Sequence, residues 1–186
     1  MLEWGMNRFL LLLSAGGLLA SIVVHLLTFV PGSPVAMGQV WPLHVLLFIP
    51  FSAMVVRLKA LQLPGMTQRE YQRALTRYVP APVRIAVIGA FAYAMLNFGL
   101  FFMQASGGGP MQQDGRYYRA NHGRIIAEIS EVEYHRLEAL QVRGFSGHWL
   151  VFYAIPAIFF AWVEPKARAD RYPGVSAPAP RHSLRR

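Results

Sequence analysis

The chain has no cysteine, and only 15% of its 186 residues are charged. The first absence excludes a disulfide framework, a thiolate metal site and a cysteine nucleophile. The second falls well below the roughly 25% charge of an average soluble domain, while 54% of the residues are hydrophobic. A chain of this length could bury a soluble core, but this balance suits a surface that meets lipid. Acidic residues are scarcest: nine stand against eighteen Lys and Arg, a net charge of +9. The basic residues sit between apolar runs and do not interleave with aromatics on one face, which argues against a nucleic-acid partner. There is no P-loop and no dinucleotide fingerprint. No carboxylate lies inside an apolar run, which argues against an ion-coupled pump.

What is present is a series of apolar spans. Phe9 to Val30 holds 22 residues without a charge, about 33 Å of helix and enough to cross a bilayer core. It is too long for the apolar region of a signal peptide. Within it Gly16 and Ala20, and Gly17 and Ser21, repeat at four-residue spacing, so one face can approach another helix closely. A charge-free turn over Pro31 to Val40 leads to a second span, Trp41 to Val56, with Trp41 at an interface and Pro50 inside. The third span is Val83 to Met103, and its Asn97 is expected to bond across helices. A fourth runs from about Gly147 to Val163, with Pro156 in its middle.

Between the second and third spans lies a basic loop, residues 57–84, carrying Arg57, Lys59, Arg69, Arg73, Arg77 and Arg84 against one acid, Glu70. Thr67 and Glu70 have capping-box spacing, and Pro80 ends the helix they open. Tyr71, Leu75 and Tyr78 fall on one face of that helix. Arg69, Arg73 and Arg77 fall on another, which reads as a surface helix with its arginines on anionic headgroups. Residues 164–186 are basic, Pro-rich and without periodicity, and are expected to be a disordered tail. The first loop carries no charge, and the insertion between spans three and four is balanced. By the positive-inside rule both termini and the basic loop are cytoplasmic.

The polar insertion, residues 106–147, therefore faces outward, onto the periplasm of a bacterial inner membrane. Arg116 to Ala120 and Arg124 to Glu128 flank Asn121-His122-Gly123, which is hairpin chemistry. Ser130 can cap a helix, Glu133 completes the box, and Ile129 can staple against Tyr134. That helix is expected to run from Glu131 to about Val142 and to break at Gly144.

Five histidines gather toward the outer side: His25, His44 and His148 in the spans, His122 and His135 in the insertion. His44 and His148 each start a descending span with a proline some two turns below, an echo that could set them face to face. Imidazole is the usual axial ligand of a b-type haem and the commonest metal ligand. Yet no H-x3-H pair supplies metal spacing within one element. Ser146, in Gly144-Phe145-Ser146-Gly147, lacks the strand-turn-helix setting of a nucleophile elbow.

The expectation is an all-α integral membrane protein of four transmembrane helices, N-in and C-in, with a small external ββα module between helices 3 and 4. Its domains are residues 1–105, 106–147, 148–163 and the tail 164–186. The expected function is non-enzymatic: an accessory, scaffold or binding subunit of a membrane complex, docking a membrane or periplasmic partner through the external module. Anionic lipids would contact Arg69, Arg73 and Arg77, and the pattern leaves room for a homo-oligomer. The favoured reading needs no cofactor. The alternative is a redox protein holding haem b through His44 and His148 with His25, or a metal ion with His122 and His135.

Overall fold

The computed structural model describes residues 2–32, 35–61, 67–105 and 107–171. His182, Ser106 and the tail beyond Arg171 lie outside them. The chain is mostly helical, with seven α-helices and three strands among the described residues: α1 (Leu2–Leu27), α2 (Met37–Leu46), α3 (Phe48–Leu61), α4 (Gln68–Thr76), α5 (Ala81–Ala105), β1 (Gly109–Gln113), β2 (Arg116–Asn121), β3 (Arg124–Glu128), α6 (Glu131–Ile158) and α7 (Glu164–Arg171). A five-residue π-helical turn, Phe159–Val163, joins α6 to α7. Four helical runs are long and apolar enough to cross a membrane: Gly5–Leu27, Met37–Leu61, Ala81–Ala105 and Glu131–Asp170.

Helix α6 is the axis, and α1 and α5 pack along it. The α1 face turned inward carries Leu10, Ser14, Ser21, His25 and Thr28, all buried, and most of them are polar. Its other face exposes Leu12, Leu19 and Leu26. Polar groups inside and leucines outside invert the soluble pattern. The inward hydroxyls are satisfied locally: Ser14 Oγ donates to Leu10 O at 2.7 Å and Ser21 Oγ to Gly17 O at 2.7 Å. Between these serines Gly17 lies under the ring of Tyr153 on α6, so closely that a Cβ there would collide with it. Tyr153 is fully buried, and its hydroxyl donates to Leu43 O at 2.7 Å, tying α6 to α2.

Several elements differ from the sequence expectation. The second helical run is 25 residues, not 16, because it begins at Met37 and continues beyond Val56 to Leu61, and the bonds from Leu47 N to Leu43 O and from Phe51 N to Leu47 O keep it continuous through Pro50. Helix α6 does not break at Gly144. A glycine costs a helix interior only about 1 kcal/mol relative to alanine, and here Gly144 and Gly147 admit Phe101 and Asn97 of α5 at distances no Cβ would allow. The sheet thus packs on the same continuous helix that forms the fourth long apolar run. The sheet has three strands in the order β1-β2-β3, all antiparallel. Strand β1 escaped the sequence reading, although Asp114-Gly115 is a hairpin signal and both residues adopt positive φ, 51° and 75°. In the next hairpin the positive angles fall on His122 and Gly123, at 48° and 78°, not on Asn121.

At the opposite end the start of the expected disordered tail is ordered. Glu164 to Arg171 is helical, and Glu164 is completely buried. Arg57 Nη1 reaches both carboxylate oxygens of Glu164 at 2.9 Å, Arg168 Nη2 lies 2.9 Å from Oε1, and Arg57 also donates to Asn7 Oδ1. A buried carboxylate needs such partners, and these join α1, α3 and α7. Helix α4 begins as expected, with Thr67 capping Glu70 N. The bonds that Glu70 accepts from the Thr67 hydroxyl and backbone N–H hold its carboxyl below the usual range. The apolar face of α4 meets the helical bundle. Leu75 and Tyr78 pack on the cluster of Leu10, Met54, Phe159, Phe160 and Val163, and the Tyr71 hydroxyl donates to Leu58 O at 2.5 Å.

Two neighbouring glycines test the packing. Gly17→Ala is expected to lower the unfolding temperature in detergent because its Cβ meets the Tyr153 ring. Gly16→Ala has nothing within 4 Å and is expected to leave stability unchanged or raise it by up to about 1 kcal/mol through helix propensity. Equal effects at the two positions would contradict this packing.

Candidate functional site

The described polar side chains converge at one level of the bundle, where α1, α5 and α6 meet. His25 is 5% exposed. Its Nδ1 is 2.7 Å from Ser146 Oγ on α6, and its Nε2 is 2.5 Å from the Tyr93 hydroxyl on α5. Both partners are hydroxyls, and because the one Ser146 proton goes to Arg143 O, the neutral imidazole is satisfied with Nδ1–H donating to Ser146 and Nε2 accepting from Tyr93. Ser146 Oγ donates onward to Arg143 O at 3.3 Å. The Thr28 hydroxyl donates to His25 O at 2.6 Å and accepts from Arg143 Nε at 3.2 Å, and Arg143 Nη2 donates to Thr28 O. Asn97 Nδ2 donates to Arg143 O at 2.8 Å, an interhelical bond from α5 to α6. The guanidinium of Arg143 lies 4.1 Å above the Phe29 ring.

A hydroxyl–imidazole–hydroxyl chain resembles catalytic machinery in its atoms alone. Ser146 is fully buried, so no substrate carbonyl can approach its hydroxyl. Its bond to His25 instead fixes α6 against α1. Beside this cluster, a cavity of about 190 Å³ opens between α5, α6 and the end of α1, with Phe29, Tyr93, Asn97, Gln104 and Arg143 among its walls.

His44 and His148 do line one cavity, of about 240 Å³, together with Phe48, Phe98, Trp149 and Phe152. Its wall is carbon alone. One ring nitrogen of each histidine is engaged. Trp149 Nε1 donates to His44 Nδ1 at 2.9 Å, and an indole only donates, so the proton of His44 is on Nε2. His148 Nδ1 donates to Gly144 O at 3.1 Å. His44 stacks on Trp41 at 4.8 Å, and the edge of His148 meets Phe98 at 4.2 Å. Ligation through Nε2 would keep the His148 bond to Gly144 O, whereas at His44 it would need the tautomer that gives up the Trp149 bond. No family model, curated protein or solved structure matches this chain. Its function must therefore be read from these side chains.

The remaining histidines stay apart. His25, with both ring nitrogens engaged, is not in the His44–His148 cavity. His122 is exposed at the hairpin tip. His135 Nδ1 is 3.0 Å from Glu138 Oε2, and its ring lies beside those of Tyr117 and Tyr134. Among the described residues no group of three or more His, Asp or Glu side chains is arranged to hold a metal ion. Arg69, Arg73 and Arg77 are exposed on α4, with Arg77 Nη2 paired to Asp170 Oδ2 of α7 at 2.7 Å.

Two participants were missed in the sequence, Tyr93 and Arg143. The signal for Arg143 was its place next to Gly144 and one turn before Gly147, read there as part of a polar insertion and not as part of the long apolar helix. Tyr93→Phe and Ser146→Ala each remove one hydroxyl from His25. Each is expected to cost about 1–3 kcal/mol, the penalty of leaving a buried polar group unpaired, measured by chemical unfolding in detergent. Two variants as stable as the parent would contradict a structural role for the cluster.

Proposed function

We propose that the protein is a non-enzymatic docking subunit of the bacterial inner membrane. Four helical runs cross the bilayer with both ends inside, and the β1–β3 sheet is held on the outer side by α6. The membrane reading is supported by length, by composition and by the inverted surface, where Ile85 is 71% and Met103 76% exposed. The orientation is supported by the basic residues of the 57–84 loop and the tail, set against an uncharged first loop.

The observation that carries the docking role is strand β3. It is an edge, paired only with β2, and every residue from Arg124 to Glu128 is exposed. Ile125 and Ile126 are 51% and 54% exposed, and Val132 at the start of α6 is 80% exposed. An open edge with branched apolar residues is a template for pairing. The partner it suits is an extended segment of a periplasmic or membrane protein, which would add a strand through backbone hydrogen bonds and lay alternate side chains on the isoleucines. Charged Arg124 and Glu128 close the two ends of that edge and would set its register.

A photo-crosslinking residue in place of Ile126, activated in intact cells, is expected to give a discrete protein adduct that Ile125→Lys abolishes. The same residue in place of Ile85 on α5 is expected to react with lipid alone. No adduct at position 126, or identical products at both positions, would contradict the docking role.

A further inference from the structure

Among the described residues Arg143 is a cation on a long apolar helical run with no carboxylate paired to it. Two of its nitrogens are held by Thr28. The outward acids are committed elsewhere: Glu128 to Arg116, Glu131 to Tyr117, Glu133 to Arg119 and Arg136, and Glu138 to Tyr134 and His135. Asp114 is exposed at the tip of the first hairpin. An ionisable residue inside a membrane span is costly and calls for a partner, and here the protein supplies only hydroxyl, carbonyl and ring contacts.

The cavity beside Arg143 has the complementary form. Its walls combine Arg143, Tyr93, Asn97 and Gln104 with Leu96, Leu100 and Phe101. Leu96 and Leu100 are themselves exposed, at 63% and 46%, so these apolar walls open onto the outer surface of α5. Thr28 and Phe29 fix the guanidinium from α1, so it is already oriented. A planar, preoriented guanidinium is the side chain best suited to a phosphate or carboxylate.

We propose that this cleft binds the oxyanion head of an acyl-chain amphiphile from the outer leaflet, an acidic phospholipid, with Arg143 on the head and Leu96 and Leu100 along the chain. This rests on the membrane reading of α1, α5 and α6 and is independent of the docking role of β3. The lipid supplies the anion that the protein lacks. Lipid bound there would also bridge α5 to the end of α1, two elements that meet mainly through α6.

Native mass spectrometry of the detergent-purified full chain, titrated with phosphatidylglycerol or phosphatidylcholine of the same chains, tests this. The expected result is one phosphatidylglycerol retained at least about tenfold better than phosphatidylcholine, a preference lost in Arg143→Gln and kept in Arg116→Gln, at an exposed arginine of β2. Leu100→Trp, which fills the cleft and leaves the charge, is expected to lose it too and serves if Arg143→Gln does not fold. Equal retention of the two lipids, or a preference that survives the available cleft variant, would overturn the proposal. Inorganic phosphate that binds equally well without acidic lipid would overturn the amphiphile in favour of a free anion. A carbonate wash done beforehand separates the premises: release of the chain from membranes would remove the membrane reading, and the proposal with it, before any lipid is added.

Discussion

The close approach of α6 to α1 and α5 is the contact on which the rest depends. In lipid there is no hydrophobic gain from bringing two apolar helices together, so association rests on tight packing and on hydrogen bonds across the interface. Gly17 gives α1 room for the Tyr153 ring, and Gly144 and Gly147 give α6 room for Phe101 and Asn97. Once the helices are that close, His25 reaches both Ser146 and Tyr93, and Asn97 reaches a main-chain carbonyl freed for it. The outer sheet then inherits a fixed position, because the helix it packs on is the one clamped below.

Charge is handled differently at the two ends. At the α7 end a fully buried carboxylate is held by Arg57 and Arg168, so the basic surplus there is partly internal to the fold. Arg57 also stands over the Phe160 ring at 5.6 Å, just where the helix widens into its π turn. At the end nearer the sheet Arg143 has no such counterpart among the described residues, and the imbalance is what singles out the cleft on α5. The sheet and the start of α6 beyond it are nearly self-neutralised, as in the Arg119–Glu133–Arg136 group. That leaves β3 with apolar side chains and unpaired backbone as its means of recognition.

Much of the fold was legible because its causes are local. Charge-free runs mark the long helices, Thr67 and Ser130 mark helix starts, and Gly123 marks a hairpin. The small-residue spacing of α1 pointed to a close helix contact, although only Gly17, and not Gly16, meets a neighbour. The failures were tertiary. Gly144 looked like a helix stop, since nothing in the sequence says that Phe101 will fill the space above it. Glu164 looked like the first residue of a tail, since its arginine partner is more than a hundred positions away. For the site, the histidine echo did bring His44 and His148 to one cavity, but sequence could not foresee that Trp149 would take a nitrogen of one and Gly144 a nitrogen of the other.

The central claim is that four helical runs cross a membrane with the sheet outside and α4 inside. The natural absence of cysteine makes single-cysteine labelling direct. Gln113→Cys at the end of β1 and Arg73→Cys on α4 replace exposed residues. With a membrane-impermeant maleimide on spheroplasts, the account predicts that position 113 reacts at once and position 73 only after the membrane is opened. The reverse order, or reaction of both from outside, would contradict it.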